Sequence, residues 1–120
     1  MSARPWPVEL TFDAALRVLN IAFDDGRRFA IAYELLRVAS PSAEVRGHNP
    51  AEAKLVAGKR NVSVTEAQPV GRYAVRIIFD DGHDSGLFSW DYLYELGRTS
   101  DKRMSDYANA LHAAGLQREP

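Results

Sequence analysis

Two copies of the tetrapeptide Phe-Asp-Asp-Gly, at residues 23–26 and 79–82, constrain the fold of this chain more than any other feature. Asp-Gly provides the positive φ angles that a tight hairpin requires, and alternating apolar and polar residues flank both copies. Each copy therefore predicts a β-hairpin. A helical pattern follows each hairpin, over residues 33–38 and 90–96. The two units arose either by an ancestral duplication or by chance recurrence of a common turn.

Alternation predicts further strands over residues 7–12 and 60–67, and helical spacing predicts a last helix over residues 101–114. In the clearest strand the inward side chains are Tyr73, Val75, Ile77 and Phe79.

Capping residues predict where several helices begin and end. Ser89 is expected to cap the aromatic helix at its start, and Gly97 is expected to end it in the left-handed conformation. Asn49 and Pro50 predict the start of a short helix within a long loop over residues 39–59.

These elements predict an α+β domain with a mostly antiparallel sheet of five or six strands, built from two hairpin–helix units, with short helices and a C-terminal helix. We expect residues 1–120 to form one domain, with residues 1–6 and 115–120 as flexible tails.

Composition excludes several classes of function. The net charge is −1 and the chain contains no cysteine, which excludes disulfides, thiolate metal sites and cysteine nucleophiles. Acidic and basic residues are interspersed, so we expect no nucleic-acid partner. No segment approaches the roughly 20 apolar residues of a membrane span, and residues 1–7 contain no apolar run. We therefore expect a cytoplasmic protein that does not interact with membranes.

Two histidines are candidates for a site. His83 follows the second turn, where its ring could bind a metal or transfer a proton, or where it could cap the hairpin through Asp81 or Asp84. His48 lies in the irregular loop and is either an exposed loop residue or, with His83 and Glu44, part of a metal site. His112 is expected on the surface of the last helix or half-buried there.

Residues 40–44 could form an anion-binding turn or simply a helix stop. Nothing in the sequence places a base beside Ser42, so we predict no catalytic residues. Trp90 and neighbouring aromatic residues either fill the core or contact another protein chain.

The segments at residues 36–48, 70–79 and 81–97 resemble the small bacterial domain of unknown function DUF971, the γ-butyrobetaine hydroxylase-like N-terminal domain. The resemblance covers residues 7–114. It implies an α+β, mostly antiparallel domain that occurs alone in bacteria, ahead of the catalytic domain in carnitine-synthesis oxygenases, and attached to P-loop ATPases of iron–sulfur cluster assembly.

In those oxygenases the domain binds a structural zinc through three cysteines and one histidine. The resemblance places Ser40, Ser42 and Val45 at the cysteine positions and His83 at the histidine position. Because structural zinc needs four good ligands, we expect this zinc site to be degenerate and the protein to need no cofactor. With 120 residues there is no room for the oxygenase catalytic domain, so hydroxylase activity is not expected.

The favoured hypothesis is a non-catalytic interaction or accessory domain with an unknown protein partner, which by family analogy could be an iron–sulfur carrier ATPase. Its expected binding surface joins a loop to a corner formed by His83 and Trp90, and comprises Ser40, Ser42, Glu44, His48, His83, Ser85 and Trp90. The alternative is a protein that binds a metal or small ligand through His83 and His48, with Glu44 and Ser85. A third hypothesis is homodimerisation through the aromatic residues or a sheet edge.

Overall fold

The computed structural model describes residues 4–41 and 55–119. The first unit, residues 7–38, contains β1 (Pro7–Asp13), β2 (Val18–Phe23), β3 (Arg28–Ala32) and α1 (Tyr33–Val38). The second unit, residues 64–98, contains β4 (Val64–Val70), β5 (Ala74–Phe79), β6 (Gly86–Ser89) and α2 (Trp90–Arg98). The last helix is α3 (Ser100–Ala113).

The predicted α+β class is confirmed, and the strands pair antiparallel throughout the described residues. They form two three-stranded sheets, in the orders β1-β2-β3 and β4-β5-β6, rather than the single sheet that we expected. Each strand pairs with its neighbour in sequence, which completes a sheet within each unit.

The two units share their detailed backbone geometry. Gly26 and Gly82 close the two hairpins with φ angles of 90° and 91°. The first strand of each unit carries a register shift at the same place, after Pro7 in β1 and after Val64 in β4. Such matching irregularities indicate one structural plan used twice, as the repeated tetrapeptide suggests.

The turn side chains are also used in the same way. Asp25 Oδ1 accepts the Arg27 backbone N–H at 2.9 Å, and Asp81 Oδ1 accepts the His83 backbone N–H at 3.0 Å. An aspartate that accepts an N–H two residues ahead forms an Asx-turn, which stabilises the bend locally.

Each helix contacts the turn of the other unit. Tyr94 of α2 donates its hydroxyl proton to Asp25 Oδ2 at 2.7 Å, and Arg37 of α1 donates from Nε to Asp81 Oδ2, also at 2.7 Å. The two contacts are equivalent, because Arg37 and Tyr94 each lie four residues after the first residue of their helix and Asp25 and Asp81 hold the same place in the two turns. This exchange of contacts links the two sheets.

The core lies between the two units, and both contribute apolar side chains from strands and helices. Its members with no measurable exposure are Leu19, Ile31, Leu36, Ile77, Phe88, Leu93 and Leu96. The predicted inward positions Val75, Ile77 and Phe79 are buried. Tyr73 is not inward as predicted: it precedes β5 and is 66% exposed.

The predicted strand over residues 60–67 begins later than expected, at Val64, although Val62 is buried ahead of it. Ser89 caps α2 as predicted, with its Oγ accepting the Tyr92 N–H at 3.1 Å. Gly97 does not end this helix, which continues to Arg98. Gly97 is required for a different reason, because a Cβ there would lie 2.4 Å from Phe29 Cγ.

The described parts of both ends contact the rest of the chain, and the expectation that residues 1–6 and 115–120 are flexible tails stays a prediction. The Trp6 N–H donates to Asp24 Oδ1 at 3.0 Å. Near the other end, Arg118 forms a two-pronged ion pair with Glu34, with contacts of 2.6 and 2.9 Å. No helix in the described ranges is long and apolar enough to span a bilayer.

Candidate functional site

A charged cluster surrounds the second turn, and we call it the Asp81 cluster: Arg37, Ser40, Lys59, Asp81 and His83. Asp81 Oδ2 receives hydrogen bonds from Arg37 Nε and from Lys59 Nζ, both at 2.7 Å. The cluster thus joins α1, the segment ahead of β4 and the β5–β6 turn. Among the described residues of the cluster, two cations share one carboxylate.

The cations determine the ionisation of Asp81. Burial opposes the charged carboxylate, but hydrogen bonds from Lys59, from the His83 backbone and from Arg37 outweigh it. The pKa of Asp81 therefore lies far below its ordinary value. Asp81 is ionised at neutral pH and serves as the shared acceptor of the cluster.

The second part of the cluster is a direct contact between Ser40 and His83. Ser40 Oγ lies 2.9 Å from His83 Nε2, and both residues are buried. This contact depends on Gly86, because a Cβ at that position would lie 2.3 Å from Ser40 Oγ. The contact between Ser40 and His83 connects the end of α1 to the second hairpin.

The equivalent place in the first unit is filled with aromatic side chains. Phe29 occupies the strand register in the first unit that Gly86 occupies in the second. The Phe29 ring packs against Gly97 near the end of α2, just as Gly86 packs against Ser40 after the end of α1. The ring of Tyr94 lies 5.4 Å from that of Phe29. The two units therefore differ at this position, which is filled by aromatic rings in the first unit and is polar in the second.

The residues present do not fit the zinc site that the family resemblance implies. Ser40 contributes a neutral hydroxyl, which bonds directly to His83, and valine at position 45 has no donor atom. Among the described residues, no group of three or more His, Asp or Glu side chains could hold a metal.

Several predicted site residues lie outside the described residues: Ser42, Glu44, Val45 and His48. The hypothesis that His48 and His83 share a site stays a prediction. Ser85 is exposed just ahead of β6. His83 precedes β6 and Trp90 follows it, and the expected corner formed by these two residues stays a prediction.

Trp90 instead belongs to an aromatic surface with Trp6 and Tyr73. The ring of Trp6 meets that of Tyr73 at 5.7 Å and that of Trp90 at 6.4 Å, both edge to face. Tyr73 is 66% exposed and Trp6 is 41% exposed. Sequence reasoning missed Trp6 and Tyr73 because it assigned one to a tail and the other to a strand interior.

A groove of about 340 Å³ runs between these rings. Its rim carries an ion pair between Arg4 and Asp91 at 3.0 Å. The Trp90 indole N–H donates to the Arg72 carbonyl at 2.7 Å, which fixes the ring against the β4–β5 turn. The groove therefore presents apolar ring surface whose orientation is held by the fold.

Comparison with known proteins identifies the family of this chain. Residues 10–94 match the model of the γ-butyrobetaine hydroxylase-like N-terminal family. Two proteins with solution NMR structures are 43% and 45% identical to this chain, with TM-scores of 0.85 and 0.84. The matches cover 98% and 99% of this chain and 93% and 89% of those chains.

A third similar structure is the crystal structure of a protein of unknown function from Acidithiobacillus ferrooxidans, which belongs to the DUF971 family. It is 38% identical, with a TM-score of 0.65, and the match covers 76% of this chain and 91% of that one. No curated protein matches the chain.

Proposed function

Because the chain belongs to the γ-butyrobetaine hydroxylase-like N-terminal (DUF971) family, a family of unknown function, we propose that it is a non-catalytic domain that binds a protein partner. The binding surface in this proposal is the aromatic surface of Trp6, Tyr73 and Trp90. The observation that carries it is the exposure of Tyr73 and Trp6 beside a groove of about 340 Å³.

Exposed, oriented aromatic rings are a feature of protein-binding surfaces. Tryptophan and tyrosine are enriched among the residues whose truncation costs most binding energy, because they bury a large area while losing little conformational freedom. The Trp90 ring is held by the Arg72 carbonyl and the Trp6 backbone by Asp24, so these parts of the surface need little ordering when a partner binds.

The described residues offer poor support for catalysis. Ser40 and His83 are within hydrogen-bond distance, as a nucleophile and its base would be, but their exposed fractions are only 2% and 9%. A substrate cannot reach a buried hydroxyl without displacing its neighbours, so this pair supports a structural role better than a catalytic one.

Family analogy suggests an iron–sulfur carrier ATPase as the first partner to test. The experiment compares quantitative capture from native lysate by the wild-type chain and by Tyr73→Ala. Tyr73 is so exposed that its truncation should leave the fold intact. We expect a specific partner whose recovery falls at least about tenfold in Tyr73→Ala, as loss of a binding hot spot would cause.

The matched control is Leu16→Ala, which removes another exposed apolar side chain, 71% exposed, from the β1–β2 turn. Its recovery of the partner should equal that of the wild type. Equal recovery by all three proteins, or no partner above background, would contradict the proposal. Sedimentation at several concentrations identifies the case in which the partner is a second copy of this chain.

A further inference from the structure

The Asp81 cluster contains a buried donor that has no acceptor among the described residues. Arg37 Nη1 is inaccessible to solvent and makes no hydrogen bond within residues 4–41 and 55–119, although Nε of the same guanidinium bonds Asp81. A buried donor that loses its water without gaining an acceptor costs about 1–3 kcal/mol, and more for a charged group. Native structures keep such groups for a reason, commonly a bound ion or water.

The charges of the cluster indicate what the missing acceptor is. Arg37 and Lys59 carry two positive charges, and both bond the same oxygen of Asp81. One carboxylate cannot neutralise both cations. Lys59 has further N–H donors, and its side chain is 22% exposed, so it can be reached from solvent.

The contrast between the two units supports a binding role. Tyr94 and Phe29 lie beside the turn of the first unit. Arg37 and Gly86 hold the equivalent positions beside the turn of the second unit. The common plan can therefore be stabilised by aromatic packing, without a buried charge. The polar residues beside the second turn therefore need a separate explanation, and the binding of a ligand provides one.

We propose that the Asp81 cluster is a binding site for a small oxyanion, a carboxylate or a phosphate, which enters beside the partly exposed Lys59 and displaces a neighbour of Arg37, so that Arg37 Nη1 and Lys59 Nζ both donate to it. Charge-assisted hydrogen bonds from arginine and lysine are the usual means of binding such groups. Asp81 holds both cations in position and leaves their remaining donors for the ligand. This site is separate from the aromatic surface, and its test does not depend on the proposed protein partner.

The test is a titration of the full chain with sodium phosphate and, separately, with sodium acetate, at constant ionic strength maintained with chloride. The readout is the NMR shift of the Arg37 Nε–H and of the backbone amides of Lys59 and His83. We expect a saturable shift with at least one anion. Saturation by phosphate alone assigns a phosphate ligand, and saturation by acetate assigns a carboxylate.

The variant Lys59→Gln keeps the pair of Arg37 and Asp81, so the fold should survive. We expect it to weaken the affinity at least about tenfold, as loss of a charge-assisted bond does. Arg28→Gln, which removes an exposed cation distant in sequence, should leave the affinity unchanged. Shifts that grow linearly and are matched by chloride mean that water satisfies Arg37, and overturn the proposal. Unchanged affinity in Lys59→Gln overturns it as well.

Discussion

The backbone of Gly97 lies directly against the ring of Phe29, so a Cβ on Gly97 would be 2.4 Å from Phe29 Cγ. Gly97 belongs to the helix of the second unit and Phe29 to a strand of the first. Their contact is therefore one of those that hold the two units together. Glycine is retained inside the helix because the ring occupies the space of its side chain.

We predict that Gly97→Ala destabilises the protein by about 1–3 kcal/mol, the usual effect of overpacking a core contact. In an open helix interior the same change would stabilise by about 1 kcal/mol. Urea denaturation of the wild type and the variant measures the difference. In a Phe29→Gly background the penalty should vanish, since this change removes both the ring and the Phe29 Cβ, which would lie 2.7 Å from the new methyl group. A stabilising effect of Gly97→Ala in the wild-type background would show that the contact is looser than described.

The Ser40 contact with Gly86 should behave in the same way. We predict that Gly86→Ala destabilises by about 1–3 kcal/mol, because the new methyl group meets Ser40 Oγ. Ser40→Gly removes that oxygen, so the double variant should be more stable than the sum of the single effects by about 0.5–3 kcal/mol. Urea denaturation of the four proteins measures this coupling. Additive effects would mean that Ser40 and Gly86 do not compete for space.

The sequence predicted local structure well wherever one residue determines it. Gly26 and Gly82 have the positive φ that their turns require, and Ser89 caps its helix. Alternation identified the inward residues of β5 because a half-buried strand faces the core with every second side chain. The family resemblance was confirmed by the match over residues 10–94.

The errors concern contacts between residues that are distant in the chain. Gly97 carries the usual signal of a helix end, and nothing local reveals the ring of Phe29 that explains it. Trp6 lies between two prolines near the chain end, which indicates a tail until its contacts with Asp24 and Trp90 are known. Within the Asp81 cluster, Ser40, Asp81 and His83 were named from the sequence. Arg37 and Lys59 were missed for the same reason, since no local pattern places them beside the second turn.

Asp81 makes the stability of the protein depend on pH. Its pKa is lower in the folded state than its ordinary value of 3.8. Its contribution to stability is therefore fully present above about pH 4 and is lost as the pH falls through the folded-state pKa. We predict that Asp81→Asn costs about 1–3 kcal/mol at pH 7, the range for hydrogen bonds to charged groups.

The measurement for Asp81→Asn is urea denaturation at pH 7 and at several values below pH 4. The difference between wild type and variant should shrink as the solution becomes more acidic. Asp25→Asn is the matched control, because Asp25 occupies the equivalent turn position but accepts from the neutral Tyr94 hydroxyl instead of two cations. Its effect should be smaller. A constant difference for Asp81→Asn across this range would contradict the role of its ionisation.

The pair of Glu34 and Arg118 attaches the end of the chain to α1. Glu34 is 5% exposed, and its carboxylate bonds Arg118 through two contacts. We predict that Arg118→Met destabilises by about 3–5 kcal/mol, because it leaves a buried carboxylate without its partner. Adding Glu34→Gln should recover part of this loss, since the unpaired charge is then removed.

Arg60→Met is the control: its pair with Glu119 is exposed on both sides, so its loss should cost no more than about 1 kcal/mol. Chemical denaturation of the wild type and the three variants measures these differences, and equal effects of Arg118→Met and Arg60→Met would show that the buried pair does not stabilise the attached end.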